Sequence, residues 1–207
     1  NTLGIISGSP LSYMQEQLSG LAHKNLTLYP SNGTQVWKYD KEWTCASKVV
    51  MTDVTDVTAI TKELQGLPVL YRFPHSGEQV QVREGMINIC PIGRSADTAM
   101  RERFVEVDLQ FNIRAEALPR IQELVEEYGC VATLGGQTSF DIYPKDWDKS
   151  YVLRHVIPDM YIGDAFYAEG NDRSLVGKVP CVWVKDSAMT FNILTTLLGL
   201  SRLCILG

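Results

Sequence analysis

The segment VREGMINICPIGRSADTAMRERF, residues 82–104, places three arginines around an apolar, strand-like stretch that closes on Pro-Ile-Gly. The whole chain has a net charge of −5, so a group of cationic side chains is unexpected there. An arginine is most often a solvated surface charge. The segment therefore raises the question of whether Arg83, Arg94 and Arg101 hold an anion.

The residues around this segment predict an antiparallel sheet backed by helices. The stretch EQVQVRE alternates with period two, and a tight turn at Glu84-Gly85 joins it to the strand GMINICPI. Helices are predicted around 97–107 and over DVTDVTAITKELQGL, which ends at Gly66. A third helix is predicted over 112–129, because four apolar residues share one of its faces: Leu118, Ile121, Leu124 and Val125.

The strand pair after that helix carries polar residues on one face. CVATLGGQTSFDIYP predicts a strand, a Gly-Gly break and a second strand. Successive side chains of a strand point to opposite faces. One face of the sheet is therefore predicted to be polar, with Gln137, Ser139 and Asp141 on it and Thr138, Phe140 and Ile142 on the other.

The two ends of the chain resemble each other in pattern, because both consist of short apolar strands followed by helices. LGIIS predicts a strand, and SPLSYMQEQLSG predicts a helix capped by Ser9, with Pro10 at its first position and Gly20 past its end. LTLY and TQVWKY flank the turn PSNG, which indicates a hairpin.

This arrangement predicts an α/β protein of two domains. Residues 43–145 are predicted to form an α+β domain of antiparallel sheet and helices. That domain is inserted into a parallel-sheet domain formed by residues 1–42 and 146–207.

Acidic residues follow an apolar run in VIPDMYIGDAFYAEGND. The run stops at Gly163-Asp164, Asn171 and Asp172 come a loop later, and Lys149 lies upstream. Ligands of open α/β sheets bind outside the carboxyl ends of the strands, so a carboxylate there is placed for a metal or a metal-bound phosphate. The residues alone leave open that Asp164 is a turn residue and Asp172 a helix N-cap.

Composition excludes several classes of protein. The 207 residues are 45% hydrophobic and 21% charged, as in a globular protein. A pI near 5.2 without a basic run argues against binding to nucleic acid or to an acidic membrane surface. Five scattered cysteines without C-x-x-C favour a reducing, cytoplasmic setting. Polar residues interrupt the apolar tail MTFNILTTLLGLSRLCILG, which favours a buried terminal helix and strand over a membrane span.

Three motifs carry a resemblance to a known family. REGMINICPIGRS, GGQTSFDIYPKDWDKSYVLRHV and IGDAFYAEGND follow an early SGS in that order. Together they resemble the eukaryotic-type phosphomannomutases of the haloacid dehalogenase (HAD) superfamily, over essentially all 207 residues. The resemblance implies a HAD-like Rossmannoid core with an inserted cap domain, and a homodimer formed through the caps.

The resemblance also implies an activity. Mannose 6-phosphate and mannose 1-phosphate would be interconverted through an aspartyl-phosphate and a hexose bisphosphate, with Mg²⁺ as cofactor and a hexose bisphosphate as activator. Arg83, Arg94 and Arg101 would hold the phosphate distal to the reaction, because a guanidinium pairs bidentately with phosphate oxygens. Ser139 and Asp141 would bind the sugar.

The remaining roles that the resemblance implies fall in the core domain. Ser9 would hold the transferring phosphoryl group, and Lys149 would neutralise the attacking carboxylate and the phosphoryl oxygens. Asp164 would bind Mg²⁺, with Asn171 and Asp172 completing or orienting that site.

One departure from the family pattern concerns catalysis. Family members carry an Asp-x-Asp-Gly-Thr loop that supplies the nucleophilic Asp and the acid/base Asp, and this sequence contains no such loop. Its absence would remove a central strand and leave rows of unpaired backbone groups. We therefore expect the sequence to be N-terminally incomplete and inactive as it stands. Smaller departures are Ala165 in place of a frequent Lys and Pro10 in place of an acidic residue.

Two other functions compete with the mutase. One is a HAD-family sugar-phosphate phosphatase, and the other is a non-catalytic sugar-phosphate-binding protein. The arginine segment favours the mutase over the phosphatase, since a simple phosphatase does not need so strong a hold on the distal phosphate. The missing nucleophile favours the binding protein for the chain as it stands.

Overall fold

The structure, a computed structural model, describes residues 2–18, 25–168 and 170–198. The predicted helix end at Gly20 and the predicted strand after residue 198 lie outside these residues. In the described residues the strands form three sheets, and α-helices cover two of them.

The first sheet contains strands β1 to β4 in chain order. Strands β1 and β2 are parallel, whereas β2, β3 and β4 pair antiparallel, so the predicted hairpin around PSNG is confirmed. Helix α1 connects β1 to β2, and its Met14 is buried with Leu26 and Leu28. The bounds of these elements are β1 Leu3–Ile6, α1 Leu11–Gln17, β2 Leu26–Tyr29, β3 Gln35–Asp40 and β4 Glu42–Lys48.

The predicted start of α1 needs correction. Ser9 does not cap α1, because Pro10 is the N-cap residue and no side chain caps the helix. The backbone of Ser9 is bound elsewhere: its N–H donates to Ser7 Oγ at 3.1 Å, and its carbonyl accepts from the N–H of Ser31 at 3.1 Å. Strand β4 belongs to the first sheet although it lies almost wholly beyond the predicted boundary at residue 43. The division into two domains stays a prediction.

The second sheet is antiparallel and has the order β5-β6-β8-β7. Helices α2 and α4 cover one face, where Ile87, Ile89, Ile121, Phe140 and Ile142 are fully buried. The predicted parity of the strand after the Gly-Gly break is confirmed for Phe140 and Ile142. The bounds are α2 Val57–Leu64, β5 Val80–Val82, β6 Ile87–Ile89, α3 Thr98–Phe111, α4 Ile113–Glu126, β7 Cys130–Gly135 and β8 Ser139–Pro144.

The third sheet is the parallel pair β9 (Tyr161–Gly163) and β10 (Cys181–Trp183), followed by α5 (Ser187–Leu198). The terminal helix is present, but it is not buried as predicted, since Met189 and Leu197 are exposed in the described part of the chain. No helix among the described residues is long and apolar enough to cross a membrane.

The parallel strands surround a cavity. Among the described residues β1 pairs only with β2, and β9 pairs only with β10. Ile6 at the end of β1 and Ile162 in β9 both line a cavity of about 260 Å³. The two parallel pairs therefore present their carboxyl ends to one space.

The turn between β5 and β6 connects the second sheet to the first. The Glu84 carboxylate accepts a hydrogen bond from Gln35 Nε2 at 2.7 Å and is ion-paired with Lys48. Gly85 lies so close to Ser31 that a Cβ at Gly85 would be 2.5 Å from the Ser31 Cβ. The hydrogen bond from Lys48 is the largest cause of a lowered pKa at Glu84.

We expect Glu84→Gln to lower the urea midpoint at pH 7. Because the pKa of Glu84 is lowered in the folded protein, its stabilisation is complete above the ordinary value of 4.5 and is lost as the pH falls through the folded pKa. The midpoints of variant and wild type should therefore converge on acidification below about pH 4.5. Glu106→Gln, in an exposed pair with Arg103, is the control. If the urea midpoint of the wild type stays above that of Glu84→Gln by the same amount at acid pH, the ionised Glu84 carboxylate is not the cause of the difference.

Candidate active site

A polar row crosses the face of the second sheet that is turned away from Ile87 and Phe140. Strand register pairs Asn88 of β6 with Asp141 of β8, and the row continues to one residue on each outer strand. Its four members, in sheet order, are Gln81, Asn88, Asp141 and Thr133.

Asn88 connects an arginine to a carboxylate within this row. Its amide nitrogen donates to Asp141 Oδ1 at 2.6 Å, and its Oδ1 accepts from Arg94 Nη1 at 3.2 Å. The residue is only 3% exposed, so both ends of its amide need partners. Sequence reasoning missed Asn88, although its place between Ile87 and Ile89 assigns it to the polar face by strand parity.

Arg83 and Arg94 have no ion pair among the described residues. Arg83 Nε donates to Gln81 Oε1 at 2.9 Å, and Arg94 donates to Asn88. Burial lowers the pKa of Arg83, and the charge of Arg94 lowers it further. Burial also raises the pKa of Asp141, although the Asn88 hydrogen bond and the two arginines oppose this. Two half-buried cations thus lie near one carboxylate without direct neutralisation.

Arg101 mainly supports the loop that carries Arg94. Its Nε donates to the carbonyl of Ala96 at 3.0 Å, and its Nη2 donates to the carbonyl of Arg94 at 3.1 Å. Its Nη1 donates to Thr138 Oγ1 at 3.3 Å. A guanidinium has five N–H groups, so two of them have no acceptor among the residues that the structure describes.

Ser139 and Gly135 close the end of the β7–β8 ladder. The Ser139 hydroxyl is buried and donates to the carbonyl of Gly135 at 2.7 Å, so only its oxygen lone pairs remain. A Cβ at Gly135 would be 2.6 Å from Asp141 Cγ. The place of the Asp141 carboxylate therefore requires a glycine at position 135.

Asp172 organises the loop after β9. Its Oδ1 accepts from Lys149 Nζ at 2.5 Å and from the Tyr161 hydroxyl at 2.7 Å. Its Oδ2 accepts from the backbone N–H groups of Asp164 at 3.1 Å and Ala165 at 3.0 Å. Burial alone would raise the pKa of this carboxyl, but the hydrogen bonds, above all that from Lys149, hold it below its usual value.

Lys149 and Asp164 line the cavity between β1 and β9. Lys149 Nζ also donates to Asn171 Oδ1 at 3.2 Å, so one of its three N–H groups has no acceptor in the described part of the chain. The Asp164 side chain is exposed and makes no hydrogen bond in the described part of the chain. Ser9 lies in the loop after β1 but does not line this cavity.

The oxygen donors here suit a hard cation. The Asp164 carboxylate has no hydrogen-bond partner among the described residues, and Mg²⁺ is commonly held by one or two carboxylates together with waters and a substrate phosphate. The described residues contain no cluster of three His, Cys, Asp or Glu that could form a complete protein cage. Asp172 has its oxygens occupied, so it fits the orienting role rather than that of a ligand.

Comparison with known proteins identifies the family of the chain. A family profile described as eukaryotic phosphomannomutase matches residues 1–193. The chain belongs to the eukaryotic phosphomannomutase family. It is 31% identical over 180 residues to the phosphomannomutase of Schizosaccharomyces pombe, covering 82% of this chain and 70% of that protein. Against the phosphomannomutase of Drosophila melanogaster it is 30% identical over 186 residues, covering 83% of this chain and 71% of that protein. The family prediction is confirmed.

Solved structures confirm the predicted HAD-like α/β fold. Plasmodium falciparum IMP-nucleotidase superposes with a TM-score of 0.66 at 16% identity, over 97% of this chain and 54% of that chain. Its N-terminally truncated form gives a TM-score of 0.60 at 15% identity, over 97% of this chain and 62% of that chain. The chain thus spans less than two thirds of either nucleotidase, and the likeness concerns the fold alone.

We expect Asp172→Asn to cost about 3 kcal/mol of unfolding free energy, because it leaves the buried Lys149 ammonium without its counter-charge. An amide at position 172 would also bring N–H groups against other donors. Urea denaturation at pH 7 measures the loss. Glu123→Gln, which breaks the exposed pair with Arg120, is the control and should cost no more than about 1 kcal/mol. Equally small losses of unfolding free energy in the two variants would contradict the role of Asp172 as the buried counter-charge of Lys149.

Proposed function

We propose that this chain forms the substrate-binding part and the phosphate-stabilising part of a phosphomannomutase that interconverts mannose 6-phosphate and mannose 1-phosphate. One observation carries the proposal. Arg83 and Arg94 lie half-buried on the polar sheet face, repel each other and have no ion-pair partner among the described residues. An anion bound between them would relieve that repulsion.

The polar face of the second sheet would hold the end of the sugar that does not react. Arg83 and Arg94 would bind its phosphate, and the two free N–H groups of Arg101 could extend the contact. Asp141, beside them, would accept hydrogen bonds from sugar hydroxyls, with the Ser139 oxygen as an acceptor. The arginines would take the phosphate of the hexose bisphosphate in either orientation, as a mutase requires.

The cavity between β1 and β9 would hold the reacting phosphate. The free N–H of Lys149 would donate to a phosphoryl oxygen while Asp172 and Asn171 keep the ammonium in place. Asp164 would hold Mg²⁺, which when bound would neutralise charge on the transferring phosphoryl group. We propose that Ser9 also holds that group, from the loop after β1 and outside the residues that line the cavity. Together these groups would stabilise charge that an attacking carboxylate creates.

The attacking carboxylate itself is not among these residues, since the sequence has no D-x-D-G-T loop. We therefore expect the 207 residues alone to bind hexose phosphate without turning it over. A chain that also bears an Asp-x-Asp loop would use a hexose bisphosphate activator. A cytoplasmic location and a homodimer formed through the 43–145 segment complete the proposal.

Arg94→Ala should weaken the binding of mannose 6-phosphate about 10- to 150-fold, the equivalent of about 1.5–3 kcal/mol for a charge-assisted hydrogen bond. Isothermal titration calorimetry on the 207-residue chain measures this. Arg103→Ala is the matched control, because Arg103 lies on α3 with its side chain 77% exposed and should leave the affinity unchanged.

Two outcomes would contradict the proposal. If the wild-type chain does not bind mannose 6-phosphate, the proposed substrate site is wrong. Isomerisation of mannose 1-phosphate by the 207 residues, purified free of host mutase, would show that the nucleophile lies among carboxylates to which we give other roles.

A further inference from the structure

A buried ion pair lies at the junction of α3 and α4, and neither of its two residues has been given a role so far. Asp108 Oδ2 accepts from Arg114 Nε at 2.7 Å, and Asp108 Oδ1 accepts from the backbone N–H of Arg114 at 2.7 Å. The two side chains are only 10% and 12% exposed. The chain reverses between them at Asn112, which has a left-handed φ of 52°.

Arg114 also grips the turn between β7 and β8. Its Nη1 donates to the carbonyl of Gly136 at 3.0 Å and to the carbonyl of Ser139 at 3.3 Å. These carbonyls stand on the two sides of the turn, because Gly135 and Ser139 are the last paired residues of the ladder. Asp108 thus fixes the Nε end of the Arg114 guanidinium, and the Nη1 end of the same group bonds the two sides of the turn.

The β7–β8 turn also determines the position of the Asp141 carboxylate. The Ser139 hydroxyl is bonded to the carbonyl of Gly135, and the backbone of Gly135 lies directly against the Asp141 side chain. If the turn opened, Gly135 would move and Asp141 would lose the wall that holds it beside Asn88. Arg83 and Arg94 have no contact with this turn among their hydrogen bonds.

Stability alone does not explain the choice of these two residues. A buried ion pair contributes little net stability compared with well-packed apolar residues of the same volume. Arg114 meets a carboxylate through Nε and two carbonyls through Nη1, whereas a lysine carries its three N–H groups on a single nitrogen and cannot reach acceptors that are spread over such a fork. The chemistry of the pair therefore suits it to position the backbone of the β7–β8 turn.

We propose that Asp108 and Arg114 position the β7–β8 turn so that Asp141 recognises the sugar, and thereby set the preference for a phosphosugar over a bare phosphate. This inference rests on the proposed function. The pair acts on the sugar end of the site. Arg83 and Arg94 make no hydrogen bond to the turn, and of the three arginines only Arg101 meets it, through Thr138, among the described residues.

The test measures the affinities of the 207-residue chain for two ligands. The affinity for mannose 6-phosphate is measured by calorimetry, and that for inorganic phosphate by its competition with mannose 6-phosphate. Arg114→Lys keeps the charge but loses the fork, and it should weaken mannose 6-phosphate about tenfold, the worth of roughly one hydrogen bond. Binding of inorganic phosphate should stay within about twofold, since Arg83 and Arg94 are untouched. Arg120→Lys, in an exposed pair on the same helix, should change neither.

If Arg114→Lys does not fold, the neutral pair Asp108→Asn with Arg114→Gln replaces it, with the same expectation. Equal weakening of both ligands would reveal a general structural role and overturn the inference, as would unchanged binding of both. Both results leave the proposed function standing. A wild-type chain that binds neither ligand overturns the proposed function and the inference with it.

Discussion

The buried amide of Asn88 determines how charge is arranged on the polar face of the second sheet. An ionised carboxylate only accepts hydrogen bonds and a guanidinium only donates them. The amide must therefore turn its nitrogen to Asp141 and its oxygen to Arg94, as the structure has it. Because the amide stands between them, the two charges are held near each other without direct contact. Arg94 consequently keeps donors for an external anion, and Asp141 keeps acceptors for hydroxyl groups.

The same division of labour appears at the cavity between β1 and β9. Asp172 is saturated by four hydrogen bonds, whereas the Asp164 carboxylate and one N–H of Lys149 have no partner within residues 2–18, 25–168 and 170–198. At both places, side chains whose hydrogen-bonding groups are all satisfied within the protein hold in place side chains that still have unused donors or acceptors. In the proposed function the side chains with unused donors or acceptors contact the ligand. The satisfied side chains touch no ligand, but they should still affect binding because they fix the positions of those that do.

The sequence predicted the elements well and the contacts between them poorly. Strand parity placed Asp141 on a polar face and Phe140 in the core because that rule is local. The N-cap role of Ser9 was wrong because its backbone is bound to residues more than twenty positions away, at Ser31. Asp108 and Arg114 carried no signal, since a helical pattern does not reveal which loop a side chain reaches. The resemblance indicated the family, which the chain's own periodicity could not have done.

Side-chain NMR of arginine offers the most direct test of the claim that Arg83 and Arg94 form an anion site. The Nε–Hε resonances of the wild-type chain would be followed while mannose 6-phosphate is added. We expect saturable shifts at Arg83 and Arg94, and none at the exposed Arg103 and Arg120. Shifts of similar size at all four arginines, or shifts that spare Arg83 and Arg94, would contradict the account.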